Sequence, residues 1–182
     1  MQTVIQFARN ILEEIVLTGD TVIDATIGNG HDTLFLSTLV GQQGTVWGFD
    51  IQEKAIQETS SRLKDFTGDL HLIHNSHESI DSYIEGEVKA VMFNLGYLPG
   101  SDHETITRAP STIQALKKSM QLLQKGGRIT IVLYDGHDGG LEETNEVIKF
   151  CEQLNQREFH VLKYQFINQQ NHPPFLLALE KR

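Results

Sequence analysis

At 182 residues, with 39% apolar and 21% charged side chains, the chain has the make-up of one folded domain, able to remove roughly 70% of its unfolded surface from water. Twenty-four acidic residues against 15 basic ones leave a net charge of −9, which argues against a non-specific nucleic-acid binder but leaves room for an RNA enzyme with a local basic patch. No apolar run approaches the ~20 residues of a membrane span, Met1-Gln2-Thr3-Val4-Ile5-Gln6 carries no basic lead into an apolar stretch, and the expected compartment is the cytoplasm.

Apolar positions Val4, Ile5, Ala8, Ile11, Leu12 and Ile15 recur at helical spacing and predict a first helix over Val4–Val16, packed either on a sheet or on a partner. A strand over Thr21–Asp24 leads into a glycine turn and a helix over Asp32–Leu39. The second strand is Thr45–Asp50, followed by a helix over Lys54–Phe66. The third is Leu70–His74, followed by a short helix over Ile80–Tyr83. A fourth strand, Val88–Phe93, runs into Asn94-Leu95-Gly96-Tyr97-Leu98-Pro99-Gly100. The helix over Ser111–Leu123 is expected to stop at Gly126-Gly127, with Lys117, Lys118 and Lys125 in its final turns. A fifth strand over Arg128–Tyr134 and a helix over Leu141–Leu154 come next. The last two runs, Phe159–Ile167 and Phe175–Leu179, have no helix between them and predict an antiparallel hairpin. The fold class is therefore α/β: a Rossmann-like, seven-stranded, mostly parallel sheet with an antiparallel C-terminal hairpin and helices on both faces. This is the layout of a class I methyltransferase, in a single domain over residues 1–182.

The segment Asp24-Ala25-Thr26-Ile27-Gly28-Asn29-Gly30-His31-Asp32, followed by Phe49-Asp50-Ile51, is a strand, a tight turn, a helix and a second strand tipped by a carboxylate. In open α/β sheets that arrangement binds a nucleoside-bearing cofactor at the carboxyl ends of the strands. Thr33 stands where a dinucleotide fingerprint has its third glycine, and Asp24 and Asp32 would repel a pyrophosphate. An acidic turn suits a positively charged cofactor, and S-adenosylmethionine carries both a sulfonium and an ammonium. Asp50 is placed to accept both ribose hydroxyls, with Gln52 beside it; its other reading is a helix cap ahead of Glu53-Lys54. Gly28 and Gly30 let the backbone approach the cofactor or simply make a turn, and Thr26 belongs to the same group of cofactor candidates. Asn29 and Asp32 suit the amino-acid end, unless Asp32 caps the following helix. Ser76 and His77 follow the third strand, where they meet the adenine or form a surface turn capped by Ser79.

The segment from Asn94 to Pro99 resembles the Asn-Pro-Pro-Tyr motif of amino-group methyltransferases without matching it. In that motif the Asn side chain and a backbone carbonyl accept hydrogen bonds from the target nitrogen, and the aromatic ring stacks on an extruded base. Here Asn94 would orient the amine and Tyr97 would supply the stacking face; the other reading is a loop with a packed tyrosine. Leu95, Gly96, Arg108 and Asp135 complete the expected substrate contacts, and His137 is either a general base or a turn residue. The single cysteine, Cys151, permits no internal disulfide and lies on the apolar pattern of Val147, Ile148 and Leu154. It is expected in the core, which disfavours ring-carbon methylation through a cysteine nucleophile and leaves nitrogen or oxygen as the acceptor. The eight histidines show no His-x-x-x-His spacing, and no metal is expected. Lys117, Lys118, Lys125 and Arg128, with Arg108 nearby, form either a basic patch or a solvated helix face and helix end.

Four segments occur in order: Asp24 to Asp32, Asn94 to Gly100, Tyr134-Asp135-Gly136-His137-Asp138-Gly139-Gly140, and Asn171-His172-Pro173-Pro174-Phe175. Together they resemble the bacterial family long labelled rRNA methylases, whose characterised members are tRNA 5-(aminomethyl)-2-thiouridine methyltransferases. The resemblance implies a cytoplasmic, S-adenosylmethionine-dependent homodimer that methylates the primary amine of the wobble uridine in the tRNA anticodon stem-loop. It places Asp50, Gln52, Asn29, Asp32 and His77 at the cofactor and Asn94 and Tyr97 on the substrate loop. A methyltransferase of rRNA or of a small-molecule amine, a non-catalytic cofactor-binding module and a nucleotide-dependent oxidoreductase are the competing readings. Thr33 and the lack of a substrate domain disfavour the last.

Overall fold

The computed structural model describes residues 1–95, 109–136 and 140–182. The elements run α1 (Val4–Glu13), β1 (Thr21–Asp24), α2 (His31–Val40), β2 (Thr45–Asp50), α3 (Glu53–Arg62), β3 (Asp69–His74) and β4 (Val88–Leu95). They continue through α4 (Ala109–Leu122), β5 (Leu123–Leu133), α5 (Gly140–Glu152), β6 (Phe159–Tyr164) and β7 (Phe175–Lys181). The short helix expected after β3 is a 3-10 helix over His77–Ser82.

The seven strands form one sheet in the order β3-β2-β1-β4-β5-β7-β6. Neighbours are parallel except that β7 runs antiparallel to both β5 and β6, as the absence of a crossover helix between the last two strands requires. Chain order reverses between β1 and β4, so the connections leaving their carboxyl ends diverge and open a crevice there. The turn after β1 stays tied to both sides of that crevice: Ala25 N–H donates to Met92 O at 2.8 Å and Ile27 N–H to Phe49 O at 3.1 Å.

Apolar side chains fill both faces. On one face Phe49, Phe93, Leu116, Ile131, Val147 and Cys151 share a single core. On the other, Leu36 and Val40 of α2 lie against Val22, Val46 and Met92. Val4, Ala8 and Ile11 of α1 lie against Val132, Leu176 and Ala178, so α1 packs on its own sheet. Thr3 starts that helix by accepting the Gln6 N–H at 3.2 Å.

Several boundaries correct the sequence reading: α1 stops at Glu13 and not Val16, α3 at Arg62 and not Phe66, β6 at Tyr164 and not Ile167, and the largest change is at the start of β5. The helix does not reach Gly126-Gly127; α4 ends at Leu122 and β5 begins at once. The pairing then jumps from Val88↔Leu123 to Ala90↔Arg128, so four residues of β5 face a single residue of β4. Gly126 takes φ +73° within this bulge, and a Cβ on Gly127 would lie 2.8 Å from Lys89 O. The glycines serve a strand irregularity and a close backbone approach, not a helix end.

Candidate active site

The crevice at the carboxyl ends of β1, β2 and β4 collects the acidic residues expected from the sequence. Gly30 opens α2 at φ +73°, a backbone conformation that favours glycine. A Cβ there would collide with the Thr59 hydroxyl and lie 3.0 Å from Thr59 Cβ and Cγ2. Gly30→Ala is therefore expected to cost about 1–3 kcal/mol from strain and crowding. Thermal unfolding measures this, and an unchanged Tm would show that the turn tolerates a side chain.

Asp24 lies beneath this turn, fully buried. Its Oδ2 accepts the Thr33 hydroxyl at 2.6 Å and its Oδ1 accepts the Thr26 N–H at 3.1 Å. Thr33, the residue that breaks the dinucleotide fingerprint, is thus the partner of the buried acid. Burial first, then the charge of Asp32, pushes the Asp24 carboxyl up to about 7. The folded chain keeps a proton there that the unfolded chain has released between about pH 4 and 7. This contribution to stability is complete at low pH and is lost as pH rises through that window. Asp24→Asn does not titrate, so its Tm is expected to gain on the wild type by several °C between pH 4 and pH 8. Parallel Tm curves would remove Asp24 as the titrating group.

Asp50 joins the tip of β2 to the turn. Its Oδ2 accepts the Gly28 N–H at 2.8 Å and its Oδ1 the Gln52 N–H at 2.9 Å. The N-cap of α3 is Gln52, not Asp50. Arg62 Nε donates to the Asn29 carbonyl at 3.0 Å and holds the opposite side of the turn. His74 Nε2 donates to Ile51 O at 2.9 Å, which fixes the chain just past Asp50.

Asp32 occupies the first turn of α2, whose N-cap is Gly30, so it is not the cap. Arg9 of α1 donates to Asp32 Oδ1 through Nε at 3.0 Å and Nη2 at 2.7 Å. The other oxygen, Oδ2, lies 3.5 Å from Asn94 Nδ2, and the Asn94 N–H donates to Thr26 Oγ1 at 2.7 Å. Tyr134, at the end of β5, has its phenol pushed up by burial and by Asp32.

His77 sits beneath the turn, where its Nδ1–H donates to Ala25 O at 3.1 Å and its ring meets Phe93 edge-on. Burial pulls its pKa down, which keeps the ring neutral. Its Nε2 is buried with no hydrogen-bond partner among the described residues. Ser76 caps the 3-10 helix by accepting the Glu78 N–H at 3.3 Å, while the Ser79 hydroxyl donates back to Ser76 O at 2.6 Å.

The Leu95 side chain is buried in the core, and Leu95 pairs with Leu133 in the sheet. Asp135 Oδ1 is buried without a hydrogen bond among the described residues, and His172 Nδ1 stands 3.5 Å from it. Register places both beyond the end of β5, since Leu133 pairs with Leu95 on one side and Phe175 on the other. Gly96, Tyr97, Arg108 and His137 lie outside the described residues. Cys151 is buried and its thiol is pushed up to about 12, first by burial, as expected for a core residue. No group able to hold a metal ion occurs among the described residues.

Three cations of the basic stretch, Lys117, Lys118 and Arg128, are drawn into separate local contacts. Lys118 lies 2.6 Å from Asp81, Lys117 stands over the Phe150 ring, and Arg128 binds Glu14 and Glu180, each at 2.7 Å. Arg9 is the site residue that sequence reasoning missed. Its signal is faint: a single cation in α1, flanking the buried stripe Val4, Ala8, Ile11 and Leu12.

Sheet order, glycine turn and the carboxylate at the tip of β2 define the class: a methyltransferase of the Rossmann-like, class I kind. More narrowly, the chain belongs to the family described as "Putative rRNA methylase", which matches residues 46–180. It is 37% identical over 189 residues to the "tRNA (mnm(5)s(2)U34)-methyltransferase, chloroplastic" of Arabidopsis thaliana, spanning 97% of this chain and 69% of that protein. The crystal structure of an rRNA methylase of Clostridium thermocellum, so described, superposes with a TM-score of 0.97 at 48% identity, covering 100% of this chain and 99% of the other. A Streptococcus mutans methyltransferase solved in complex with SAH gives a TM-score of 0.92 at 37% identity, with coverage of 100% and 99%.

Proposed function

We propose that the protein transfers a methyl group from S-adenosylmethionine to the aminomethyl nitrogen of wobble 5-aminomethyl-(2-thio)uridine in tRNA, giving the methylaminomethyl form. The carrying observation is Asn94, held at the end of β4 by Thr26 with its amide beside Asp32. The name of the Arabidopsis relative supports this choice of substrate.

S-adenosylmethionine is the cofactor, and the donor set fits it. Asp50 presents a carboxylate for vicinal hydroxyls, and Asp32 places a second carboxylate at the same turn, where it opposes a pyrophosphate. When bound, S-adenosylmethionine supplies an electrophilic methyl, whose bond to sulfur breaks as the amine lone pair forms the carbon–nitrogen bond. The chain's residues prepare the nucleophile and the pocket. Asp50 and Gln52 bind the ribose, Gly28, Asn29, Gly30 and Asp32 line the amino-acid end, and Ser76 and His77 border the adenine. Asp24 and Thr26 support the turn from beneath.

An alkyl amine has an unperturbed pKa of about 10.4 and arrives as an ammonium, which must give up a proton before its nitrogen has a lone pair; burial beside the sulfonium lowers that pKa and favours the neutral amine. Asn94 Oδ1 accepts a hydrogen bond from the reacting nitrogen and aims its lone pair. Tyr97 stacks on the extruded base, His137 receives the released proton, and Leu95 (through its backbone), Gly96, Arg108 and Asp135 hold the nucleotide. The protein works in the cytoplasm as a homodimer on the anticodon stem-loop.

The test is transfer of labelled methyl into bulk tRNA lacking the final wobble methylation, followed by nucleoside mass analysis. A methyl gained on the aminomethyl side chain is expected. Intact cofactor binding with no methyl on tRNA, or with methyl entering ribosomal RNA or a small amine, overturns the substrate assignment.

A further inference from the structure

Arg9 comes from a helix that lies outside the strand–turn–helix unit of the cofactor site, yet it engages that unit at its most charged point. Two of its donors converge on Asp32 Oδ1, at 3.0 and 2.7 Å, and its guanidinium stands 5.3 Å over the Phe35 ring. The pair is sheltered, with side chains 33% and 10% exposed for Arg9 and Asp32. Because Arg9 takes Oδ1, Oδ2 is the oxygen left facing Asn94 Nδ2, at 3.5 Å. An amide has two unlike ends: its NH2 only donates and its carbonyl only accepts. A carboxylate oxygen therefore selects the orientation with Nδ2 toward Asp32 and Oδ1 turned away. The main chain cannot drift to compensate, because the Asn94 N–H is tied to Thr26 Oγ1 at 2.7 Å.

We propose that Arg9 is a positioning residue for methyl transfer: through Asp32 it fixes the Asn94 amide with its oxygen toward the substrate amine. The inference rests on the role given to Asn94 above. Without Arg9, Asp32 loses both donors that hold its Oδ1, and its carboxylate is free to rotate. Asn94 then loses the oxygen that fixes its Nδ2, and its NH2 and carbonyl ends interchange. A simple clamp between α1 and α2 would do none of this; its loss would lower stability alone.

The test compares wild type, Arg9→Gln, Arg9→Lys, Asn94→Ala and the double variant Arg9→Gln/Asn94→Ala. Below the unfolding range, Arg9→Gln is expected to lower kcat on tRNA about tenfold. Because Asp32 also lines the amino-acid end of the pocket, kcat is read at saturating S-adenosylmethionine, so that a weaker cofactor affinity does not enter it. Arg9→Lys should recover part of the loss, since it keeps the charge but not the fork. The double variant should be no slower than Asn94→Ala, because both changes remove one device. A wild-type kcat in Arg9→Gln, or losses that multiply in the double variant, overturns the proposal. A readout free of substrate is the Asn94 side-chain amide in a 15N spectrum, assigned by its disappearance in Asn94→Ala. It should be a distinct, exchange-protected pair in the wild type and averaged in Arg9→Gln. If the wild type transfers no methyl to tRNA, the substrate reading fails while this spectrum still decides the positioning, and identical amide signals in the two proteins overturn it.

Discussion

Asn94→Ala is expected to lower kcat for methyl transfer to tRNA by about 100-fold while leaving cofactor affinity within roughly threefold of wild type. The split follows from the two ends of the residue. Its backbone N–H, which holds the end of β4 to Thr26, survives the substitution, so the crevice keeps its shape. The lost amide removes the acceptor that aims the amine, and a misplacement of about 1 Å at a reacting centre is enough for a 100-fold loss. Asp32 loses a distant contact at 3.5 Å but keeps both Arg9 bonds, so the amino-acid end of the pocket remains organised. Asn94→Asp separates orientation from acceptor chemistry: it supplies acceptors but sets a second carboxylate against Asp32, and it should also be slow. Single-turnover transfer at saturating cofactor measures the step, and calorimetric titration with S-adenosylhomocysteine measures the pocket. An unchanged kcat would remove Asn94 from the reaction. A loss confined to cofactor affinity would make it a pocket residue instead.

What was legible in the sequence is what is local in the chain. The run from Asp24 to Asp32 folds on itself within nine residues. Its glycines and acids could therefore be placed at a turn before any tertiary contact was known. The first two strands match their observed limits because a polar or glycine break bounds each apolar run. The hairpin β6–β7 was legible from a missing helix, although β6 stops at Tyr164 because the residues beyond it no longer pair. The start of β5 was not: Gly126-Gly127 carries the signature of a helix end, and only the pairing with β4 shows that it fills a bulge. Partnerships across elements were equally hidden. Arg9 and Asp32 are 23 residues apart, and His77 and the Ala25 carbonyl 52 apart. No periodicity reports that these groups converge. The basic stretch was hidden in the same way: its clustering suggests a basic patch or a solvated helix face, whereas the fold binds Lys118 and Arg128 to carboxylates.

Asp50→Ala should show the opposite pattern from Asn94→Ala: about 100-fold weaker binding of the cofactor, with kcat near wild type once the cofactor is saturating. The carboxylate now accepts two backbone N–H groups, from Gly28 and Gln52, one on each oxygen. Each oxygen has a further lone pair, so both can also accept a ribose hydroxyl without releasing the turn. A hydrogen bond to a charged acceptor contributes roughly 1.5–3 kcal/mol, and each 1.4 kcal/mol is about tenfold in affinity. Losing two, with water replacing them only in part, gives the expected 100-fold. Asp50→Asn keeps one acceptor oxygen and no charge; it should fall between, at about tenfold, and it preserves a bond to one of the two N–H groups. That intermediate matters because Asp50→Ala also frees the Gly28 N–H and loosens the turn. If Asp50→Ala binds weakly while Asp50→Asn binds like wild type, the carboxylate serves the turn and not the ribose. Calorimetric titration of both variants with S-adenosylhomocysteine decides between the two, since it reads the pocket without turnover.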